Sequence, residues 1–241
     1  MKVIVLAAGW GSRLRPLTDD RPKCMVEVNG KSIIERQLNV MRSCGICDKD
    51  ITIVAGYRND VLWKRFQDTE INFVVNEEFE TTNMVCSLMC AKSLIEQGED
   101  VIVSYGDIIY GEQVFRKILN ASDDISVIVD DGWYAYWAKR CENPLDDAET
   151  LMFDADGYLT EIGQKTTKLA NVQAQYIGLM RFRGAGRKAL LDLSAEAKRR
   201  SEHGEKLWRT DRTYAKMYMT DLLQGLIDEG HKLRAVHIQR G

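Results

Sequence analysis

Two short stretches of this chain combine residue types that could manage phosphate chemistry. In the first, the apolar run Val3 to Ala8 breaks into Gly9, Trp10, Gly11, Ser12 and Arg13. Gly9 and Gly11 admit positive φ and close backbone approach, so successive N–H groups can turn toward phosphate oxygens. Arg13 can donate two parallel hydrogen bonds to one phosphate, and Arg15 adds further positive charge. In the second, Val101 to Ser104 runs into Tyr105, Gly106 and Asp107, a carboxylate just past a buried strand, after a glycine that lets the backbone turn tightly. Such a carboxylate suits Mg²⁺, a hard cation that shares its coordination between protein oxygens and substrate phosphates. The alternatives are a plain tight turn at the glycines and a capping role for Asp107.

The glycine loop is neither of the two familiar phosphate-binding fingerprints. It lacks the Gly-Lys-Ser/Thr ending of a Walker A motif, and Leu14 stands where a dinucleotide fingerprint needs its third glycine. Elsewhere, Asn83 and Ser87 lie one helical turn apart and could hydrogen-bond a base or its sugar, or Asn83 could cap the helix. Between Asp130 and Glu149, the aromatics Trp133, Tyr134, Tyr136 and Trp137 sit beside Asp130, Asp131, Asp146, Asp147 and Glu149. Aromatic faces with nearby carboxylates can hold an ammonium group, while aromatic packing with solvated acids is the plainer use of the same residues. The charged stretch Lys198 to Arg212 reads as a solvated helix and loop, although Arg209 and Arg212 could approach an acidic ligand.

The block LAAGWGSRLRPLTDDRPKCMVEVNGKSIIERQL resembles the N-terminal signature of the sugar-phosphate nucleotidyltransferase superfamily. That resemblance implies an NTP held by Leu6, Ala7, Ala8, Gly9, Gly11 and Ser12, phosphate contacts from Arg13 and Lys23, and a Mg²⁺ ligand in the Gly106-Asp107 pair. It also implies a second metal aspartate late in the chain, in a Trp-x-Glu-Ile-Asp-like segment expected where this sequence stops at Gly241, with Asp131 and Asp221 as the candidates inside it. The segment Asn76 to Leu88, NEEFETTNMVCSL, resembles the Asn-x-x-x-Ser-Leu element of the phosphocholine cytidylyltransferase branch, and Gly56 and Tyr57 match its base-side Gly-Tyr. Glu161 to Lys165 resembles the family's Glu-x-x-x-Lys element, whose lysine contacts the acceptor phosphate, with Thr166 where sugar enzymes carry proline. Tyr176 and Gly178 could line the same cleft. The acceptor-side candidates are therefore Lys165, Asp131, Trp133, Trp137, Glu149 and Tyr176.

The function implied is Mg²⁺-dependent transfer of CMP from CTP to a small phosphate or phosphonate monoester, with pyrophosphate released. Phosphocholine, 2-aminoethylphosphonate and a phosphoamide are the acceptors considered. A hexose-1-phosphate uridylyl- or thymidylyltransferase and an inactive nucleotide-binding domain are the alternatives.

The elements that must position these residues follow an alternating pattern. Lys2 to Ala8 reads as a strand buried on both faces. Ser32 to Arg42 reads as an amphipathic helix with Ser32 and Glu35 forming a capping box. Strands at 50–55, 71–76 and 100–104 alternate with helices at 61–66 and 83–97. Further strands are expected at 125–129, 150–153 and 175–182, helices at 112–120, 187–202 and 219–229, and a turn at 154–157. Alternation of this kind predicts an α/β fold: one Rossmann-like domain over residues 1–241, a mixed, mostly parallel sheet with helices on both faces. Ligands are then expected at the carboxyl ends of the strands. Residues 1–111 form the expected nucleotide half and 112–241 the acceptor half.

Composition narrows the remaining classes. With 45% hydrophobic and 29% charged residues the chain can bury a sizeable core, and its 33 basic and 36 acidic residues are interspersed, leaving no basic face for nucleic acid. The first apolar run is far shorter than a membrane span, so a cytoplasmic enzyme, monomer or homodimer, is expected. Six cysteines without an export signal read as reduced thiols. Cys44 and Cys47 have the spacing of half a metal site, but no second pair accompanies them.

Overall fold

The structure, a computed structural model, describes residues 1–239. Strand β1 (Lys2–Ala7) and the glycine loop lead through the small hairpin of β2 (Glu27–Val28) and β3 (Lys31–Ser32) into helix α1 (Ile33–Ser43). The chain then alternates through β4 (Ile51–Ala55), α2 (Asn59–Phe66), β5 (Asn72–Val75), α3 (Met84–Cys90), α4 (Lys92–Glu96) and β6 (Val101–Tyr105). Next come α5 (Glu112–Leu119), β7 (Ile125–Asp130), the short α6 (Trp133–Trp137), a hairpin of β8 (Glu149–Phe153) and β9 (Leu159–Lys165), and β10 (Gln175–Phe182). Helices α7 (Gly184–Glu202) and α8 (Met219–Asp228) precede the last strand, β11 (Arg234–Ile238).

Seven of the strands form one sheet in the order β11-β7-β10-β6-β1-β4-β5. Every neighbouring pair is parallel except those made by β10, which runs antiparallel to both β6 and β7. The fold is thus the α/β architecture that the alternation predicts. β1 lies at the centre of the parallel part, with Val5 in register with Ile53 on one side and Ser104 on the other. Its β-branched residues serve two cores. Val3 and Val5 pack with Ile34, Leu38, Leu62 and Phe115 from α1, α2 and α5. Ile4 faces the opposite cluster, which holds Val85, Leu88, Leu190 and Leu222 from α3, α7 and α8. Burying each such aliphatic side chain is worth about 1.5–3 kcal/mol, so the two-sided burial fixes the sheet between its helix layers.

Local signals hold where they were strongest. Ser32 accepts from the Glu35 amide, the Ser32 amide donates to Glu35 Oε2 at 3.0 Å, and the capping box starts α1. The turn at 154–157 joins β8 to β9, with Gly157 at φ 81°. The single helix expected over 83–97 is instead two. Ala91, at φ −96° and ψ 20°, separates α3 from α4, and no glycine or proline marks the break. Ala91 is fully buried, and the bend keeps Val85, Leu88 and Ile95 against one core. Strands β9 and β11 and helix α6 lie outside the expected elements.

The antiparallel strand is tied to its neighbour by charge. Asp100, just before β6, accepts from Arg181 Nη2 at 2.8 Å and from Arg183 Nε at 3.0 Å. Arg181 is nearly buried and also donates to the carbonyls of Ile118, Leu119 and Ala121. Burial alone would raise the Asp100 carboxyl, but the hydrogen bonds and charges of the two arginines outweigh it and hold the group below the usual carboxylate range. Removing this partner strands a buried guanidinium, so Asp100→Ala should cost about 3 kcal/mol at neutral pH in denaturant titrations. The contribution is complete above an ordinary aspartate pKa of about 3.9 and is lost as pH falls through the depressed folded-state value. The stability gap between wild type and variant should therefore narrow in acid; a gap constant from pH 7 to pH 3 would remove the ion pair from the account.

Candidate active site

The carboxyl ends of β1, β4 and β6 lie side by side, and each is followed within two residues by a glycine: Gly9, Gly56 and Gly106. Two of these permit the loops to pack backbone to backbone. Tyr57 N donates to Ala8 O at 3.0 Å and Gly106 N to Leu6 O at 2.8 Å. A Cβ at Gly56 would lie 2.7 Å from Ala8 O, and one at Gly106 would lie 2.8 Å from Leu6 O, so no other residue fits without moving the strand ends. A Cβ at Gly9 would meet nothing within 4 Å, which leaves its backbone open to the cleft. Gly11, at φ +61°, turns the chain into the 3₁₀ turn Ser12–Leu14.

These loops wall a cleft of ≈ 280 Å³ that brings together residues from four separate parts of the sequence. Leu6 to Leu14 form one wall, and Lys23, Asn83, Ser87, Tyr105, Gly106 and Asp107 contribute to the others. Lys23 Nζ lies 2.5 Å from Asp107 Oδ2, with both side chains about a third exposed. The Arg13 guanidinium, among the described residues, makes no hydrogen bond or ion pair. The cleft thus carries an uncommitted cation, a second cation shared with one carboxylate, and glycine backbone open to solvent. Those are the requirements for a polyphosphate.

At the other end of the cleft, Asn83 caps α3 by accepting from Met84 N at 2.8 Å, and Ser87 Oγ accepts from Asn76 Nδ2 at 3.0 Å. Tyr57 is fixed by its hydroxyl, which lies 3.0 Å from Thr18 O and 2.9 Å from Asp19 O. Its ring stacks on Trp10, with centroids 4.9 Å apart, and Phe79 closes the group at 5.6 Å from Trp10. Trp10 and Phe79 were not among the expected site residues. A tryptophan flanked by two loop glycines cannot be buried in the turn that carries it, and that was the available signal.

The acceptor-side candidates divide into two groups. The β8–β9 register sets Glu149 opposite Lys165. Burial raises the Glu149 carboxyl, and the Lys165 charge offsets part of that rise. Tyr176 meets Tyr105 edge-on, with centroids 5.8 Å apart, and burial pushes both phenols well above their usual range. Gly178, at φ +89°, lets the Tyr105 ring press against β10. Because Tyr105 also lines the glycine-loop cleft, Tyr176 adjoins it.

The second group lies elsewhere. Trp133 is 3% exposed and packs with Ala148 and Val172, while its ring meets Trp137 edge-on with centroids 6.1 Å apart. The cation over this aromatic segment is the protein's own Arg140, 5.3 Å from the Tyr136 ring and 5.4 Å from Trp137. Asp131 Oδ1 lies 2.8 Å from His237 Nδ1. None of Asp131, Trp133 or Trp137 lines the cleft. Side-chain packing occupies Trp133, the plainer of the two uses expected for this segment.

Among the described residues no three His, Cys, Asp or Glu converge closely enough to hold a metal by themselves. Asp221, a candidate second ligand, is buried and paired with Arg212 at 2.9 Å. The segment expected to supply the family's second aspartate lies outside the described residues. Asp107 remains the one expected metal ligand that lines the cleft.

Comparison with known proteins agrees with this geometry. Residues 3–166 match the MobA-like NTP transferase domain. The chain is 39% identical over 243 aligned positions to a CTP:phosphoglutamine cytidylyltransferase of Campylobacter jejuni, covering 99% of this chain and 92% of that protein. It is 26% identical over 208 positions to a 2-aminoethylphosphonate cytidylyltransferase of Lancefieldella rimae, covering 85% and 76%. Among solved structures, the CTP:phosphocholine cytidylyltransferase of Streptococcus pneumoniae superposes with a TM-score of 0.71 at 20% identity, covering 99% of this chain and 90% of that one. The inositol-1-phosphate CTP transferase of T. maritima gives 0.72 at 18%, covering 98% and 84%. With a glycine loop, two cations and a carboxylate gathered at the carboxyl edge of its sheet, the chain belongs to the MobA-like NTP transferase family and is a nucleotidyltransferase.

Proposed function

We propose that this protein transfers CMP from CTP to a small phosphorylated acceptor, with a phosphoamide of the phosphoglutamine type as the leading candidate. The observation that carries this reading is the convergence of Arg13, Lys23 and Asp107 on one cleft beside an open glycine loop. The choice of base and acceptor rests on the cytidylyltransferase relative that spans 99% of the chain.

An oxygen of the acceptor phosphate would attack the α-phosphorus of CTP in line with the α–β bridging oxygen. That P–O bond breaks, its electron pair leaves with pyrophosphate, and a new P–O–P linkage joins CMP to the acceptor. Two anions must meet for this, so the contribution required of the protein is positive charge placed before they arrive. Arg13 is free to hold the β and γ phosphates. Lys23 can exchange its contact with Asp107 for the α-phosphate, where charge accumulates. Lys165, with no carboxylate of the described residues within ion-pair distance, is free to orient the acceptor phosphate. Asp107 fits Mg²⁺, since a single carboxylate at an exposed strand end leaves room for the waters and phosphate oxygens this ion retains. Bound there, Mg²⁺ would supply positive charge to offset that of the triphosphate.

The test is pyrophosphate release with each of four NTPs and Mg²⁺ against phosphoglutamine, phosphocholine, 2-aminoethylphosphonate and glucose-1-phosphate. Activity confined to CTP with a nitrogen-containing phosphate or phosphonate is expected. Turnover only of UTP or dTTP with glucose-1-phosphate would transfer the chain to hexose chemistry, and nucleotide binding without pyrophosphate release in any combination would make it a binding domain.

Lys23→Ala should lower kcat by roughly 10²–10³, the scale of losing one donor to developing charge in a closed site. Its half-exposed pair with Asp107 is worth only about 0–1 kcal/mol, so the melting temperature should hardly change. Near-wild-type turnover in this variant would take Lys23 out of the reaction.

A further inference from the structure

Arg212 is held in a way that leaves half of its donors unused. Its Nη1 donates to both oxygens of Asp221, at 2.9 and 3.2 Å, and to Thr210 Oγ1 at 3.3 Å. Asp221 is itself fixed: its side chain is 2% exposed and accepts from Tyr218 N at 2.8 Å. The guanidinium lies over the Tyr218 ring, with Cζ 4.1 Å from the centroid. Among the described residues, Nε and Nη2 make no hydrogen bond, and the side chain is 39% exposed. An arginine clamped through one nitrogen and stacked on one face presents the other edge of its fork in a fixed orientation. Such an edge matches the two oxygens of a carboxylate.

The neighbourhood of that edge is chemically assorted. Thr220, next to Asp221 in sequence, and the charges of Lys165, Asp221 and Arg212 all act on the Glu149 carboxyl. Gly163, at φ +80°, gives Thr220 the room to approach β9. Tyr105 connects this group to the nucleotide cleft, since its ring lines the cleft and its hydroxyl senses Asp107, Glu149 and Asp221. Near one another there are therefore a lysine with no ion pair among the described residues, a half-buried carboxylate and a half-used arginine. A phosphate and an ammonium would occupy the first two. The arginine edge then has no partner in an acceptor such as phosphocholine, which carries no second anion.

We propose that the Nε and Nη2 edge of Arg212 binds a carboxylate on the acceptor, so that the substrate is an amino-acid-like phosphate with phosphate, ammonium and carboxylate read by Lys165, Glu149 and Arg212. The inference deepens the acceptor class proposed above and rests on it. Arg212 is a specificity residue in this account, and Asp221 positions it.

The experiment compares phosphoglutamine with its decarboxylated counterpart, amide-phosphorylated 4-aminobutanamide, in wild type, Arg212→Lys and Arg212→Met. The lysine variant retains a cation for buried Asp221, and thermal melting confirms that it folds. Wild type should favour phosphoglutamine in kcat/KM by on the order of 10²-fold, the scale of a paired, charge-assisted contact. In Arg212→Lys the preference should collapse to within about threefold, through KM for phosphoglutamine, with KM for CTP unmoved. An undiminished preference, or equal loss on both acceptors, would overturn the assignment. Should wild type turn over neither acceptor with CTP, the proposed reaction fails and binding decides the arginine separately. Weaker phosphoglutamine binding by Arg212→Lys than by wild type in calorimetric titration upholds the assignment, and equal binding overturns it.

Discussion

Burial of β1 on both faces, between β4 and β6 in the sheet and between two helix layers, is the constraint from which the rest of the architecture follows. A strand in that position offers no side-chain surface to solvent, so polar chemistry must move to its end. Parallel neighbours bring three such ends to the same edge, and the loops that follow must pack within hydrogen-bonding distance of one another. Gly56 and Gly106 make that approach possible, because a Cβ at either would press on a carbonyl oxygen of the β1 end. Residues as far apart in sequence as Arg13, Lys23, Asn83 and Asp107 share one cleft for this reason.

Charge in the cleft is arranged so that little of it is spent. Arg13 has no partner among the described residues, and the Lys23–Asp107 pair is exposed enough for either group to exchange its partner at small cost. By contrast, the charges that hold the sheet together are committed. Asp100 joins two arginines at the opposite, amino-terminal side of β6. Structural and chemical electrostatics are thus distinguished by burial: a guanidinium with several carbonyls and a carboxylate is fixed, whereas a cation on a glycine loop is available.

The side of the cleft proposed for the acceptor follows from the antiparallel strand of the large sheet. By entering between β6 and β7 in the opposite direction, β10 brings Tyr176 and Gly178 to the Tyr105 wall, and the β8–β9 hairpin sets Glu149 across from Lys165. Gly163 and Gly178 take positive φ where β9 and β10 must make room for Thr220 and Tyr105. The wall shared with the glycine-loop cleft is therefore built from strands that belong to different halves of the chain.

The sequence by itself determined the elements whose signals are local. An uninterrupted β-branched run, a Ser32 and Glu35 capping box, and glycines directly after strands specify backbone conformation within a few residues, and each corresponding element formed. The carboxyl-edge placement of Gly9 and Asp107 was legible for the same reason, because alternating strands and helices leave few topologies. What only the tertiary structure decided depends on distant partners. The break at Ala91 is imposed by two stretches of helix packing on one core, with no residue in the break to announce it. Trp133 looked available to a ligand because a tryptophan beside carboxylates reads alike whether its face is open or covered, and Ala148 and Val172, which cover it, come from other parts of the fold. Arg212 reads as one charge in a solvated stretch until Asp221 and Tyr218 fix one edge of it and leave the other free. Composition and spacing report which groups a chain owns; only packing decides which of them remain unpaired.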